Sequence, residues 1–202
     1  MIDKISASVA KWLLEKGAIS ADDKPLYEYA FFCFLITALP VITVSIIGLV
    51  AGMFWEGLML IAPFVFIRKF SGGYHLKSSN LCMVVSTFIL AAFLFASKAV
   101  CVFSLYIPFA AIATIAAVSL MVFSPIDSEE RKLSEKENSA FKTVARIMTL
   151  AISALWIALM LFGLKTAAVS IGCGLILSAA LQVPCIIKKL SGSKKQLETN
   201  GK

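Results

Sequence analysis

Histidine occurs once in this chain of 202 residues, and Asp, Glu, Lys and Arg together supply only 15% of it. So little charge beside 59% hydrophobic residues, gathered in long runs with no alternation, excludes an ordinary soluble domain. A single histidine leaves a zinc site short of ligands. The five cysteines are odd in number and contain no C-x-x-C pair, so they form neither a disulfide framework nor a structural metal cluster. No metal or cofactor is expected, and most of the cysteines read as small apolar fillers within helices. The N-terminal two dozen residues lack a compact apolar core and carry Lys4, Lys11, Lys16 and Lys24, so a cleavable signal peptide is not expected and the first span must itself direct insertion.

What is there is a series of apolar runs. A hydrocarbon core about 30 Å thick takes roughly 20 residues at about 1.5 Å each. Six runs qualify as spans: Phe31 to Val50, Gly52 to Ile67, Leu81 to Ser97, Ala99 to Phe123, Ile147 to Leu164, and Thr166 to Ile187. The fold class expected is all-α, a polytopic integral membrane protein with about six transmembrane helices in a bundle over 31–187. Before it, residues 1–24 place Ile2, Ile5, Val9, Trp12 and Leu13 at helical spacing, which reads as an amphipathic helix in the interface, with an ordinary packing helix as the alternative. After it, 188–202 is a polar tail. Pro40, Pro63, Pro108 and Pro184 lie within spans, where they kink helices and free backbone carbonyls. Gly48 and Gly52 form a G-x-x-x-G too short to carry weight as a helix contact.

The formal net charge of +7 is distributed in a way that sets the sidedness. Six spans put 17 of the 19 Lys and Arg residues on one set of flanks, namely the N-terminal segment, the loops 68–80 and 124–146, and the tail; only Lys98 and Lys165 fall on the other. Basic flanks stay in the cytoplasm, so both termini are expected there. Glu56, the one acid inside an apolar run, then falls toward the outer side and reads as interfacial or helix-pairing rather than catalytic.

The loop after the second span, Arg68-Lys-Phe-Ser-Gly-Gly-Tyr-His-Leu-Lys-Ser-Ser-Asn-Leu-Cys82, holds the lone histidine, His75, seven residues before Cys82. A nucleophilic cysteine must ionise near neutral pH, whereas a free thiol has a pKa of about 8.5. An imidazole can take that proton and later return it to a leaving amine, so the pair has the residue types of an acyl-transfer dyad. In one continuous helix the two would lie about 10.5 Å apart along the axis, too far for direct proton transfer. A helix is therefore expected to start between them, after a turn allowed by Gly72 and Gly73 and with Ser78, Ser79 or Asn80 as N-cap. Cys82 would then stand in or near the first turn, where the helix dipole favours a thiolate and free amide hydrogens face a developing oxyanion. The bland alternative is an interfacial polar histidine and a filler cysteine.

The basic pair Arg68-Lys69, the pair Gly72-Gly73, His75 and the cysteine seven residues on resemble the accessory gene regulator protein B (AgrB) peptidases of quorum-sensing systems. Chain size, the amphipathic N-terminal segment and the polar central loop from Ser124-Pro125 onward are similar too. The resemblance implies that 1–187 is one membrane-embedded peptidase domain whose catalytic residues are His75 and Cys82. Its partner would be an AgrD-like precursor with an amphipathic leader and an acidic C-terminal tail, and a homodimer is implied as well. Cys82 would cut off the tail through an acyl-enzyme, which a cysteine or serine within the peptide resolves to a cyclic thiolactone or lactone. Arg68, Lys69 and Lys77 form a local basic cluster suited to bind that acidic tail, or equally to hold the loop on the cytoplasmic side. A small transporter or peptide exporter, and a purely structural scaffold, are the competing readings.

Overall fold

The computed structural model describes residues 2–71, 79–125 and 135–187, the side chains of 79, 80 and 135–138 excepted. Among them are seven long helices and no strand: α1 (Ile2–Glu15), α2 (Lys24–Val50), α3 (Phe54–Ser71), α4 (Ser79–Val102), α5 (Tyr106–Phe123), α6 (Glu135–Leu161) and α7 (Lys165–Ala180). Five stretches are long and apolar enough to cross a membrane: Lys24–Val50, Leu81–Val102, Tyr106–Phe123, Ser139–Leu161 and Lys165–Ile187. Large apolar side chains such as Val50, Ile107 and Leu161 are exposed on these helices, which suits hydrocarbon and not water. The protein is an all-α, multi-pass membrane protein. The second expected span, α3, is an 18-residue helix less apolar than these five, because Glu56 sits in its first turn and Arg68 and Lys69 in its last. Those signs match the helix dipole at each end, which gives Glu56 a structural reason to be there.

The chain divides into two compact units, Met1–Phe54 with Leu76–Ala92, and Trp55–His75 with Phe93–Lys202. In the first, α1 packs along α2. Its buried face is Ile2, Ser6 and Ala10, rotated from the apolar stripe expected from sequence. Small Ser6 and Ala10 let α2 approach closely, and Ile5 and Trp12 are left exposed. The turn after α2 uses both glycines of the G-x-x-x-G. Gly52 takes a left-handed φ of 67°, and the Met53 N–H donates to the Gly48 carbonyl at 2.6 Å. A Cβ on Gly48 would lie 2.9 Å from the Met53 carbonyl oxygen, so the pair serves the turn.

In the second unit α7 is the central element. Nearly every residue of α7 from Ala168 to Ala179 is buried, whereas α5 and α6, both of which pack on it, are largely exposed. Gly172 lies under the Phe109 ring and beside Trp156, and Gly174 abuts the Leu60 carbonyl and Pro63 of α3. Two expected boundaries shift. The helix expected to end at Ser97 runs through Lys98 to Val102, and the break falls at Phe103–Leu105, where Ser104 has φ 54°. One lysine does not stop a helix, whereas Pro108 fits the first turn of α5 because its missing N–H has no acceptor there anyway. Likewise α6 starts at Glu135, well inside the expected central loop, since the strong helix formers Glu, Lys, Ala and Arg recur from 135 to 146.

Candidate functional site

Cys82 is half-buried in the first turn of α4, Ser79–Val102. Backbone N–H groups in such a turn have no acceptor within the helix, and its dipole favours a thiolate. None of the five cysteines is in a disulfide: Cys33 is exposed, Cys101 and Cys185 are half-buried, and Cys173 is buried in α7. Gly72, Gly73, His75 and Lys77 lie outside the described residues, so Cys82 is the member of the expected dyad whose setting is described.

Arg68 and Lys69 close α3. The Arg68 guanidinium is 5.7 Å from the centre of the Phe64 ring, and the Lys69 ammonium is 5.7 Å from that of Phe70. Arg68 is half-buried and Lys69 exposed. Both cations lie within cation–π range of a neighbour on their own helix. Phe70 in turn packs against Phe141 of α6, with ring centres 5.7 Å apart and planes at 38°. Arg146 of α6 donates from Nε to the Met121 carbonyl at 3.2 Å, satisfying a carbonyl that the end of α5 leaves without a helical partner.

Gln182, which no sequence motif marks, is the central polar group at this end of the second unit. It is fully buried, and its Nε2 donates to the Ser71 carbonyl at 3.0 Å and to Ser124 Oγ at 2.9 Å. It thus ties together the ends of α3, α5 and α7. The cause is local. Pro184 has no N–H for the Ala180 carbonyl and its ring crowds that turn, so α7 ends at Ala180. Leu181 and Gln182 form a turn in which the Gln182 N–H reaches back to the Ala179 carbonyl at 3.0 Å. Gln182 Oε1 is buried with no partner among the described residues. A carboxamide inside an apolar run, four residues after Ser178 and two before Pro184, was the available signal.

The family described as Accessory gene regulator B matches this chain over residues 3–186. A Clostridium perfringens (strain 13 / Type A) protein named "Putative AgrB-like protein 2" is 30% identical over 89 residues, which are 44% of this chain and 42% of the relative. A "Putative AgrB-like protein" of Clostridium perfringens (strain SM101 / Type A) is 28% identical over 89 residues, with the same shares. The aligned part thus spans less than half the length of either curated relative. No solved structure matches. With the family match running over nearly its whole length, the chain belongs to the accessory gene regulator B family.

Proposed function

We propose that this protein is a membrane-embedded cysteine endopeptidase that removes the C-terminal tail of a quorum-sensing pro-peptide and promotes its cyclisation. The observation that carries the reading is Cys82 in the first turn of α4, seven residues after the sole histidine, in a chain that matches the family over residues 3–186. His75 takes the Cys82 thiol proton, and the thiolate sulfur attacks the scissile carbonyl. The oxyanion that forms is stabilised by amide hydrogens of the helix start. When the C–N bond breaks, His75 returns the proton to the leaving amine, and the peptide is left as a thioester on Cys82. A cysteine or serine of the peptide then attacks that thioester, closing the ring and freeing Cys82. Making a thioester from an amide is uphill, so water must be kept from the acyl-enzyme, which a site at the membrane edge favours. Arg68, Lys69 and Lys77 bind the acidic tail, both termini lie in the cytoplasm, and no cofactor is needed. A homodimer is part of the same reading.

Cys82→Ala is expected to abolish precursor cleavage with insertion intact, because alanine removes the nucleophile without adding volume. His75→Ala should leave a small rate that rises at alkaline pH, where the thiol ionises unaided. With Cys33, Cys101, Cys173 and Cys185 all replaced by Ala, a covalent peptide adduct should still form, and it should vanish when Cys82 is also removed. Cleavage by an inserted Cys82→Ala protein would refute the mechanism and favour a transporter or exporter.

A further inference from the structure

We propose that the groove between α5 and α6, at the Lys165 end of the second unit, is a phospholipid site. The groove takes the upper part of one acyl chain, and Lys165 with the start of α7 takes the phosphate of an anionic headgroup. Tyr106, Ile107 and Ala110 of α5 and Trp156, Ile157 and Met160 of α6 line a space of about 390 Å³. They belong to the first turns of α5 and the last turns of α6, so the groove starts at the membrane surface. It runs inward by about 6 Å, four residues at about 1.5 Å each. Ala110, the smallest of the six, leaves the room, and Trp156, only 5% exposed, forms the floor.

Charge decides the occupant. The Lys165 ammonium is 4.7 Å from the centre of the Tyr106 ring, which places it at the mouth of the groove. Lys165 is exposed, and among the described residues it forms no ion pair, with Glu56 of α3 or any other acid. The first amide groups of α7 have no acceptor within the helix, and Leu164 at its N-cap offers no capping side chain. Amides and ammonium together suit a phosphate. Below them, water in so apolar a groove would be costly, whereas a hydrocarbon chain is at ease there. A second copy of this chain is the rival occupant. However, residues 93–126 and 138–187 contain no Asp or Glu, so a two-fold contact through this face would bring lysine to lysine with no acid between them. A lipid phosphate supplies the charge that a copy lacks.

The test reads the fluorescence of Trp156 in the full-length protein carrying Trp12→Phe and Trp55→Phe, which leave it as the sole tryptophan. The protein is reconstituted in phosphatidylcholine vesicles. A minor share of the lipid is phosphatidylglycerol, or in a parallel sample phosphatidylcholine, brominated near the headgroup end of its acyl chains. Bromine quenches an indole that it touches. Phosphatidylglycerol should occupy the quenching site about fivefold more readily than phosphatidylcholine, the enrichment that one interfacial lysine supplies. Lys165→Gln should bring the two lipids to within about 1.5-fold of each other, and Lys165→Arg should restore the preference. Lys98→Gln removes the other lysine expected on this side and should leave most of the preference in place. Ala110→Leu fills the groove and should lower quenching by either lipid about twofold; should it fail to insert, Met160→Phe serves instead. Equal quenching by the two lipids in the parent would overturn the headgroup site. A loss in Lys98→Gln as large as in Lys165→Gln would trace the preference to diffuse surface charge and overturn it as well. If the filled variants are quenched as strongly as the parent, no chain lies in the groove. Disulfide-linked dimers of Ala110→Cys, made with the five native cysteines replaced, would then assign the groove to a second copy.

Discussion

Replacing Gly174 by alanine should be among the most damaging single-methyl additions in the second unit, although alanine is the better helix former. The added Cβ would fall 2.5 Å from the Leu60 carbonyl oxygen and 2.6 Å from Pro63 Cγ. Carbon–oxygen contacts ordinarily settle at about 3.3 Å or more, so α3 and α7 must part by nearly 1 Å. Neither obstacle can rotate away: one is backbone and the other a fixed ring. Overpacking of this kind costs about 1–3 kcal/mol, while the helix gain from Gly to Ala returns about 0.5–1 kcal/mol. A net loss of about 1 kcal/mol, and at most about 2.5 kcal/mol, is expected. Gly172 is the internal control, with the same helix gain but a movable Phe109 ring at 2.7 Å and Trp156 Nε1 at 3.1 Å as its obstacles. Reversible unfolding in mixed micelles, titrated with a denaturing detergent, should rank Gly174→Ala below Gly172→Ala and both below the parent. Precursor cleavage by Gly174→Ala should also fall, since α3 carries the chain to His75. A Gly174→Ala protein as stable as the parent would refute the close approach of α3 and α7 on which this reasoning rests.

Two further outcomes can be checked directly. Reporters fused after Lys188 or within 127–140 should register the cytoplasm, and those near Lys98 or Lys165 the outside; an external 127–140 segment would overturn the charge-based sidedness. Lys69→Gln should weaken precursor binding and flatten its salt dependence with little effect on stability, because its ammonium is exposed. Arg68→Gln should do the same at a greater cost in stability, its side chain being half-buried against Phe64. Unchanged binding at low salt in both variants would reduce these cations to topology signals.

How much of this could be read along the chain depends on the range of the forces involved. Span positions follow from transfer of one segment at a time into hydrocarbon, a local property, and the five apolar spans emerge close to their expected places. Helix ends are less legible where a charged residue stands inside a helix. Lys98 sits inside α4, and the residues from 135 to 146 extend α6. In both cases intrinsic helix preference carried the backbone past a charged residue. The first-turn position of Cys82 was legible because Ser78, Ser79 and Asn80 mark a helix start in the sequence itself.

Contacts between helices were not legible in this way, because apolar runs are nearly interchangeable in composition and carry no record of which face meets which neighbour. Ile5 and Trp12 have the hydropathy of a buried face, yet α1 turns Ser6 and Ala10 inward, since small side chains bring two helices closest. Gly174 and Gly172 read as ordinary helix glycines until Leu60, Pro63 and Phe109 are set against them. Gln182 reads as a stray amide until Ser71 and Ser124 arrive from 111 and 58 residues away to accept its hydrogens. Hydropathy fixes which segments leave water, but in hydrocarbon every apolar face is equally at ease, so steric fit and buried hydrogen bonds between distant segments choose the partners.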